Sequence, residues 1–121
     1  MAKILVVDDD IAINELIKIN LELQGYEVIQ AYNGIEGFAL ARQEMPALII
    51  LDVMMPKING YKISRLLKYD NKYKDIPILM VTARSQEEDK LIGEETGVNE
   101  YITKPFDLND VVNKVKQYLG E

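Results

Sequence analysis

The chain contains no cysteine and no histidine. The first absence excludes disulfides and thiolate nucleophiles, and the two together exclude Cys/His zinc sites. Imidazole general bases and histidine phosphoacceptors are excluded as well. Any metal must then be a hard ion held by oxygens, and the available chemistry is that of carboxylates, hydroxyls and amines. A basic excess is also missing: 14 Lys and Arg face 20 Asp and Glu, and the net charge of −6 argues against a nucleic-acid surface. No stretch approaches the roughly 18 consecutive apolar residues of a membrane span. The opening apolar run Ile4–Val7 meets three aspartates at once, which is not a signal peptide, so a cytoplasmic protein is expected.

What is present fits one folding unit, 1–121. At 121 residues, 48% hydrophobic and 28% charged, the chain has ordinary globular composition. A domain of this size buries roughly two-thirds of its unfolded surface. Five short apolar runs, Lys3–Val7, Glu27–Ala31, Ala47–Leu51, Pro77–Val81 and Asn99–Ile102, alternate with helical spacing over 10–24, 34–44, 60–69, 86–96 and 107–119. The runs Leu48–Leu51 and Ile78–Val81 show no polar alternation, as expected of strands buried on both faces. Gly25, Pro46 and Gly97 are stop signals after the first, second and fourth helices. Helical patterns follow Asn33-Gly34 and Asn59-Gly60, so these pairs read as strand-to-helix turns rather than hairpins.

Strict alternation predicts an α/β fold: a (βα)5 doubly wound, five-stranded parallel sheet of order 2-1-3-4-5. Ligands in such folds bind beyond the carboxyl ends of the strands, at the switch point between strands 1 and 3. The expected strand ends carry Asp8-Asp9-Asp10, Asp52 and Thr82, with Lys104 after strand 5. Clustered carboxylates repel one another, a conflict that a divalent cation removes; Mg2+ is the candidate, with Mn2+ as a substitute. Lys104 would add a second positive point and Thr82 a hydrogen-bond donor. The set suits phosphoryl transfer, with Asp52 as nucleophile forming an aspartyl phosphate.

Each part also has a plainer role: Asp9 or Asp10 as a helix N-cap, Asp52 as a solvated strand end, Thr82 as a β-former, Lys104 as a surface residue. The joint occurrence of all four at the strand ends is what favours the functional account.

At this point the chain resembles, over essentially its whole length, the receiver domain of two-component response regulators, whose fold is flavodoxin-like. The resemblance rests on Ile4-Leu5-Val6-Val7-Asp8-Asp9, Leu51-Asp52-Val53-Met54-Met55-Pro56 with Asn59-Gly60, Val81-Thr82-Ala83, and Tyr101-Ile102-Thr103-Lys104-Pro105-Phe106. It implies that Asp52 accepts phosphate from a phosphohistidine on a histidine kinase or histidine phosphotransfer protein. It also implies that Asp9, Asp52 and the Met54 carbonyl ligate Mg2+ directly, Asp8 acting through water. Thr82 and Lys104 would contact the phosphoryl group. Thr82 and Tyr101 would form the switch, biasing the face of helix 4, strand 5 and helix 5; an ordinary strand aromatic is the plainer role for Tyr101. Gly93 inside the fourth helix suggests a mobile element or simply close packing. Lys104-Pro105 is expected to be cis by the resemblance, although trans is the commoner state of such bonds.

Asn59 replaces the usual acidic residue before the loop glycine, which should alter little if its role is the turn. Met54 and Arg84 resemble the variable pair that tunes phosphoryl lifetime in this family. Ile13, Ile17 and Leu21 form a core stripe, leaving Ile11, Ile19 and Leu23 largely off it. In receivers this helix docks the kinase, so these residues are candidates for that surface; covering by a neighbouring helix is the alternative. The mixed-charge stretch 68–75 reads as a solvated loop.

The expected protein is a phosphoacceptor switch rather than an enzyme, catalysing only its own phosphorylation and dephosphorylation. It would be a monomer or a phosphorylation-dependent dimer, without direct nucleic-acid or membrane contact. Ending just after the fifth helix fits a stand-alone receiver or a piece of a longer regulator. A haloacid-dehalogenase-like phosphatase using Asp8 and Asp10 is the enzymatic alternative, but it leaves Asp52 without a role. A flavodoxin-like nucleotide binder would need hydroxyls and glycines where three aspartates stand. A degenerate receiver is disfavoured because the whole acceptor set is present.

Overall fold

A computed structural model describes residues 2–83 and 97–121. The strands are β1 (Lys3–Val7), β2 (Glu27–Ala31), β3 (Leu48–Asp52), β4 (Ile78–Thr82) and β5 (Glu100–Thr103). The helices are α1 (Ile11–Leu23), α2 (Gly34–Glu44), α3 (Gly60–Lys68) and α4 (Leu108–Leu119), the last being the fifth helical stretch of the sequence. The expected helix at 86–96, with Gly93, and the tuning candidate Arg84 lie outside the described residues. The five strands are all parallel in the order β2-β1-β3-β4-β5, as predicted. The last three strands begin and end one residue later than their apolar runs, because the backbone ladder continues onto Asp52, Thr82 and Thr103.

Alternation along the strands divides the core into two compartments. Ile4, Val6, Leu48, Ile50, Leu79, Val81 and Ile102 face Ile17 and Leu21 of α1 and Val111, Val112 and Val115 of α4. Leu5, Val7, Ile49, Leu51, Ile78 and Met80 face Ala41 of α2 and Tyr61, Ile63 and Leu67 of α3. Each fully buried aliphatic contributes about 1.5–3 kcal/mol of transfer free energy. Both sheet faces are consumed, so polar function is left to the strand ends.

The helix starts are capped by short polar side chains. Asn33 and Asn59 accept hydrogen bonds from the Glu36 and Lys62 N–H groups at 2.8 and 3.0 Å, so both Asn-Gly pairs are strand-to-helix turns. After α1 the chain turns through Gly25 at φ +95°. After α2 the left-handed residue is Met45, at φ 47°, one place before the Pro46 that marks the stop. The buried stripe of α1 is Asn14, Ile17 and Leu21; Ile13 is only partly buried.

Candidate functional site

The strand order sets β1 beside β3, with Val7 opposite Leu51, so the next residues along, Asp8 and Asp52, emerge side by side. Both are buried, at 2% and 4% exposure, whereas Asp9 is exposed. A carboxylate oxygen from each of Asp8, Asp9 and Asp52 can be chosen so that all lie within 4.8 Å of one another. Lys104 reaches in from beyond β5, its Nζ 3.4 Å from Asp8 Oδ2 and 3.5 Å from Asp52 Oδ1. Its backbone is fixed by donation from Lys104 N–H to the Thr82 carbonyl at 2.7 Å, which hooks the end of β5 onto β4. Thr82 is fully buried at the end of β4. The Lys104-Pro105 peptide is cis, as the resemblance implied.

The electrostatics are those of a site under tension. Burial chiefly pushes the Asp52 carboxyl up to about 6; neighbouring Asp8 raises it further, while Lys104 and the Met54 N–H pull it partly back. Asp8 is raised too, again mainly by burial, against the lowering effects of the Asp10 N–H and Lys104. Asp8 Oδ1 accepts from Asp10 N–H at 2.9 Å, but buried Oδ2 has no hydrogen-bond partner among the described residues. One cation between two buried carboxylates leaves a negative excess. An unsatisfied buried oxygen and three converging carboxylates form a hard-oxygen donor set that fits a divalent ion.

The structure separates the three consecutive aspartates. Asp10 caps α1, accepting from Ile13 N–H at 3.2 Å, and does not belong to the converging group. This is the plainer role foreseen for it, and it removes the second acid of the phosphatase alternative. Tyr101 lies outside the acidic cluster; half-buried, opposite Met80 in the β4–β5 ladder, it packs on the α2/α3 compartment. The Met54 side chain is exposed beside the site. Ile11, Ile19 and Leu23 are exposed, so no neighbouring helix among the described residues covers them. Next to the site, Ile13 and Leu16 of α1 face Pro105, Phe106 and Leu108 across an apolar cleft of about 450 Å³.

Two contributors were not singled out in the sequence. In the sequence Gly60 reads only as part of a turn. A Cβ there would stand 2.4 Å from the Asp52 carbonyl oxygen, so glycine is what lets α3 start against the acid-bearing strand end. Asn14 is fully buried, and its carboxamide bonds to the Asp8 and Ala31 carbonyls. Its signal was a polar residue beside the apolar stripe of α1.

The family model for the response regulator receiver domain matches residues 4–116. The DNA-binding dual master transcriptional regulator RpaA of Synechocystis is 47% identical over 119 residues, which are 98% of this chain and 49% of that protein. Protein PilH of Pseudomonas aeruginosa is 39% identical over 122 residues, 99% of each chain. The chain thus spans about half the length of RpaA and of several other curated relatives. Among solved structures, chemotaxis protein CheY4 of Vibrio cholerae superposes with a TM-score of 0.91 at 34% identity, covering 98% of both chains. No helix among the described residues is long and apolar enough to cross a membrane. The chain belongs to the response regulator receiver domains, the aspartate-phosphorylated switches of two-component signalling.

Proposed function

We propose that Asp52 is the phosphoacceptor and that residues 1–121 form one receiver. The observation that carries this is a carboxylate only 4% exposed at a strand end, 3.5 Å from a lysine ammonium and grouped with two further acids. With its carboxyl pushed up to about 6, Asp52 is mainly ionised at neutral pH and more basic than an ordinary aspartate. Its oxygen forms the O–P bond as the P–N bond of a phosphohistidine breaks. The electron pair stays on the donor imidazole, which takes a proton from solvent. Lys104 offsets charge on the transferring phosphoryl oxygens, and the Thr82 hydroxyl donates to one of them.

Asp8, Asp9 and Asp52, with the Met54 carbonyl, would hold Mg2+, or Mn2+ in its place; Asp8 would act through a coordinated water. When bound, the ion supplies charge neutralisation for the phosphoryl oxygens. Phosphorylation adds charge and acceptor oxygens that draw Thr82, and Tyr101 follows into the space vacated, biasing the surface around β5 and α4. Met54 and Arg84 set how long the phosphoryl group lasts.

Receiver domains interact with histidine kinases, and the exposed Ile11, Ile19 and Leu23 support docking of a kinase or histidine phosphotransfer protein on α1. A cytoplasmic location goes with such a donor. The net charge of −6 supports a receiver that does not itself bind nucleic acid. Chemistry is confined to its own phosphorylation and dephosphorylation, and the state is monomer or phosphorylation-dependent dimer. The test is intact mass after incubation with acetyl phosphate and Mg2+. A phosphate adduct is expected on the wild type and not on Asp52→Asn; an adduct on both, or on neither, refutes the assignment.

A further inference from the structure

The buried face of α1 carries one side chain that breaks its apolar pattern. Asn14 is 0% exposed and shares that stripe with Ile17 and Leu21, which follow it along the helix. A buried amide is costly unless its groups are paired, and here both the nitrogen and the oxygen have partners. Its Nδ2 donates to the Ala31 carbonyl at 2.9 Å and the Asp8 carbonyl at 3.1 Å, with the Val6 carbonyl at the 3.5 Å limit. Its Oδ1 accepts from Gln30 Nε2 at 3.0 Å, and the same Gln30 nitrogen donates to Glu15 Oε2 at 3.0 Å. The carboxamide orientation is therefore set from β2, while its donors bridge the ends of β1 and β2.

The position of that grip matters. The Asp8 carbonyl belongs to the peptide that joins Asp8 to Asp9, so its plane fixes the backbone from which both carboxylates project. Ala31 O also accepts from Asp8 N–H at 3.2 Å. Both peptides flanking the Asp8 α-carbon are thus held, one by β2 directly and one through Asn14. Rotation of the 8–9 peptide would move two of the three converging acids at once.

We propose that Asn14, oriented by Gln30, is a positioning residue for the acidic cluster, presetting Asp8 and Asp9 for a divalent cation. The proposal rests on the metal-site reading above, and its test separates the two. The full chain and its variants are titrated with Mg2+ alone by calorimetry, without phosphodonor, and melted separately to establish that each is folded. Asn14→Leu should raise the Mg2+ dissociation constant about ten-fold, the size of effect seen when partners behind metal ligands are removed. Gln30→Met, at a half-buried position, should raise it by a smaller factor while leaving the strand-end carbonyls paired. A merely structural role would lower the melting temperature and leave the affinity of the folded protein unchanged.

Asp9→Asn controls for the site itself. If Asp9→Asn weakens Mg2+ binding but Asn14→Leu and Gln30→Met bind like wild type, the positioning role is overturned and the metal site stands. If Asp9→Asn binds like wild type, the metal site itself is overturned. Should Asn14→Leu not fold, Gln30→Met decides alone: weakened binding supports the proposal and wild-type affinity overturns it.

Discussion

Asp52→Asn should make the metal-free protein more stable at neutral pH. Asp52 titrates at 3.8 in an unperturbed chain and at about 6 in the fold, chiefly because it is buried and secondly because Asp8 is adjacent. A raised acid pKa means that the folded state binds the proton more tightly than the unfolded state, so stability falls as pH rises from 3.8 through 6. Above 6 the whole cost is present. At about 1.4 kcal/mol per pH unit, the shift corresponds to about 3 kcal/mol. For a domain of this size that is about 10 °C in melting temperature. Asparagine keeps the shape and removes the charge. The assay is thermal and urea unfolding in a chelating buffer, followed by far-ultraviolet circular dichroism, at pH 7.5 and pH 4. The variant's advantage should approach about 3 kcal/mol at pH 7.5 and shrink below about 1 kcal/mol at pH 4, where the wild-type carboxyl is protonated in the fold. Adding Mg2+ at pH 7.5 should stabilise the wild type and narrow the gap. Equal advantage at both pH values, or none at pH 7.5, would refute the reasoning that the buried, ionised Asp52 carboxylate costs the fold stability.

Gly60→Ala forces a methyl group to 2.4 Å from the Asp52 carbonyl oxygen, so urea unfolding should show a loss of about 1–3 kcal/mol and acetyl phosphate should label the protein more slowly. A polar replacement of the exposed Met54 should change the dephosphorylation rate, followed by loss of the mass adduct, with little change in melting temperature. Ile19, exposed on α1, should tolerate a polar replacement without loss of stability; phosphotransfer from the kinase should slow while labelling by acetyl phosphate is unchanged, and equal slowing of both would count against docking there.

The architecture was legible because local signals agreed with one another. Leu48–Leu51 and Ile78–Val81 are uninterrupted aliphatic runs, and the sheet buries both their faces. Asn33 and Asn59 preceded helical patterns, and both proved to be N-caps. The charged residues at the strand ends were legible for the converse reason, since nothing in a buried strand accounts for an aspartate directly after Leu51. What escaped was whatever depends on contact across the chain. Asn14 acquires its partners from β1 and β2, and spacing along α1 cannot show that its face position is buried against carbonyls rather than methyl groups. Gly60 has an ordinary role as a turn residue, and its proximity to the Asp52 carbonyl exists only once β3 and α3 are folded together. Met45 shows the same limit locally: Pro46 announced the stop, but which residue would turn left-handed depended on where the last helical bond closed, from Met45 N–H to the Ala41 carbonyl.

The division of the core by the sheet has an optical consequence. The chain has no tryptophan and only two phenylalanines. Phe38 packs against the α2/α3 compartment and Phe106 against the α1/α4 compartment. A single tryptophan introduced at one or the other would report from one side of the sheet on a background free of competing indole emission. The same molecule then offers two separate channels, and a signal that changes in one but not the other identifies which face of the sheet has responded.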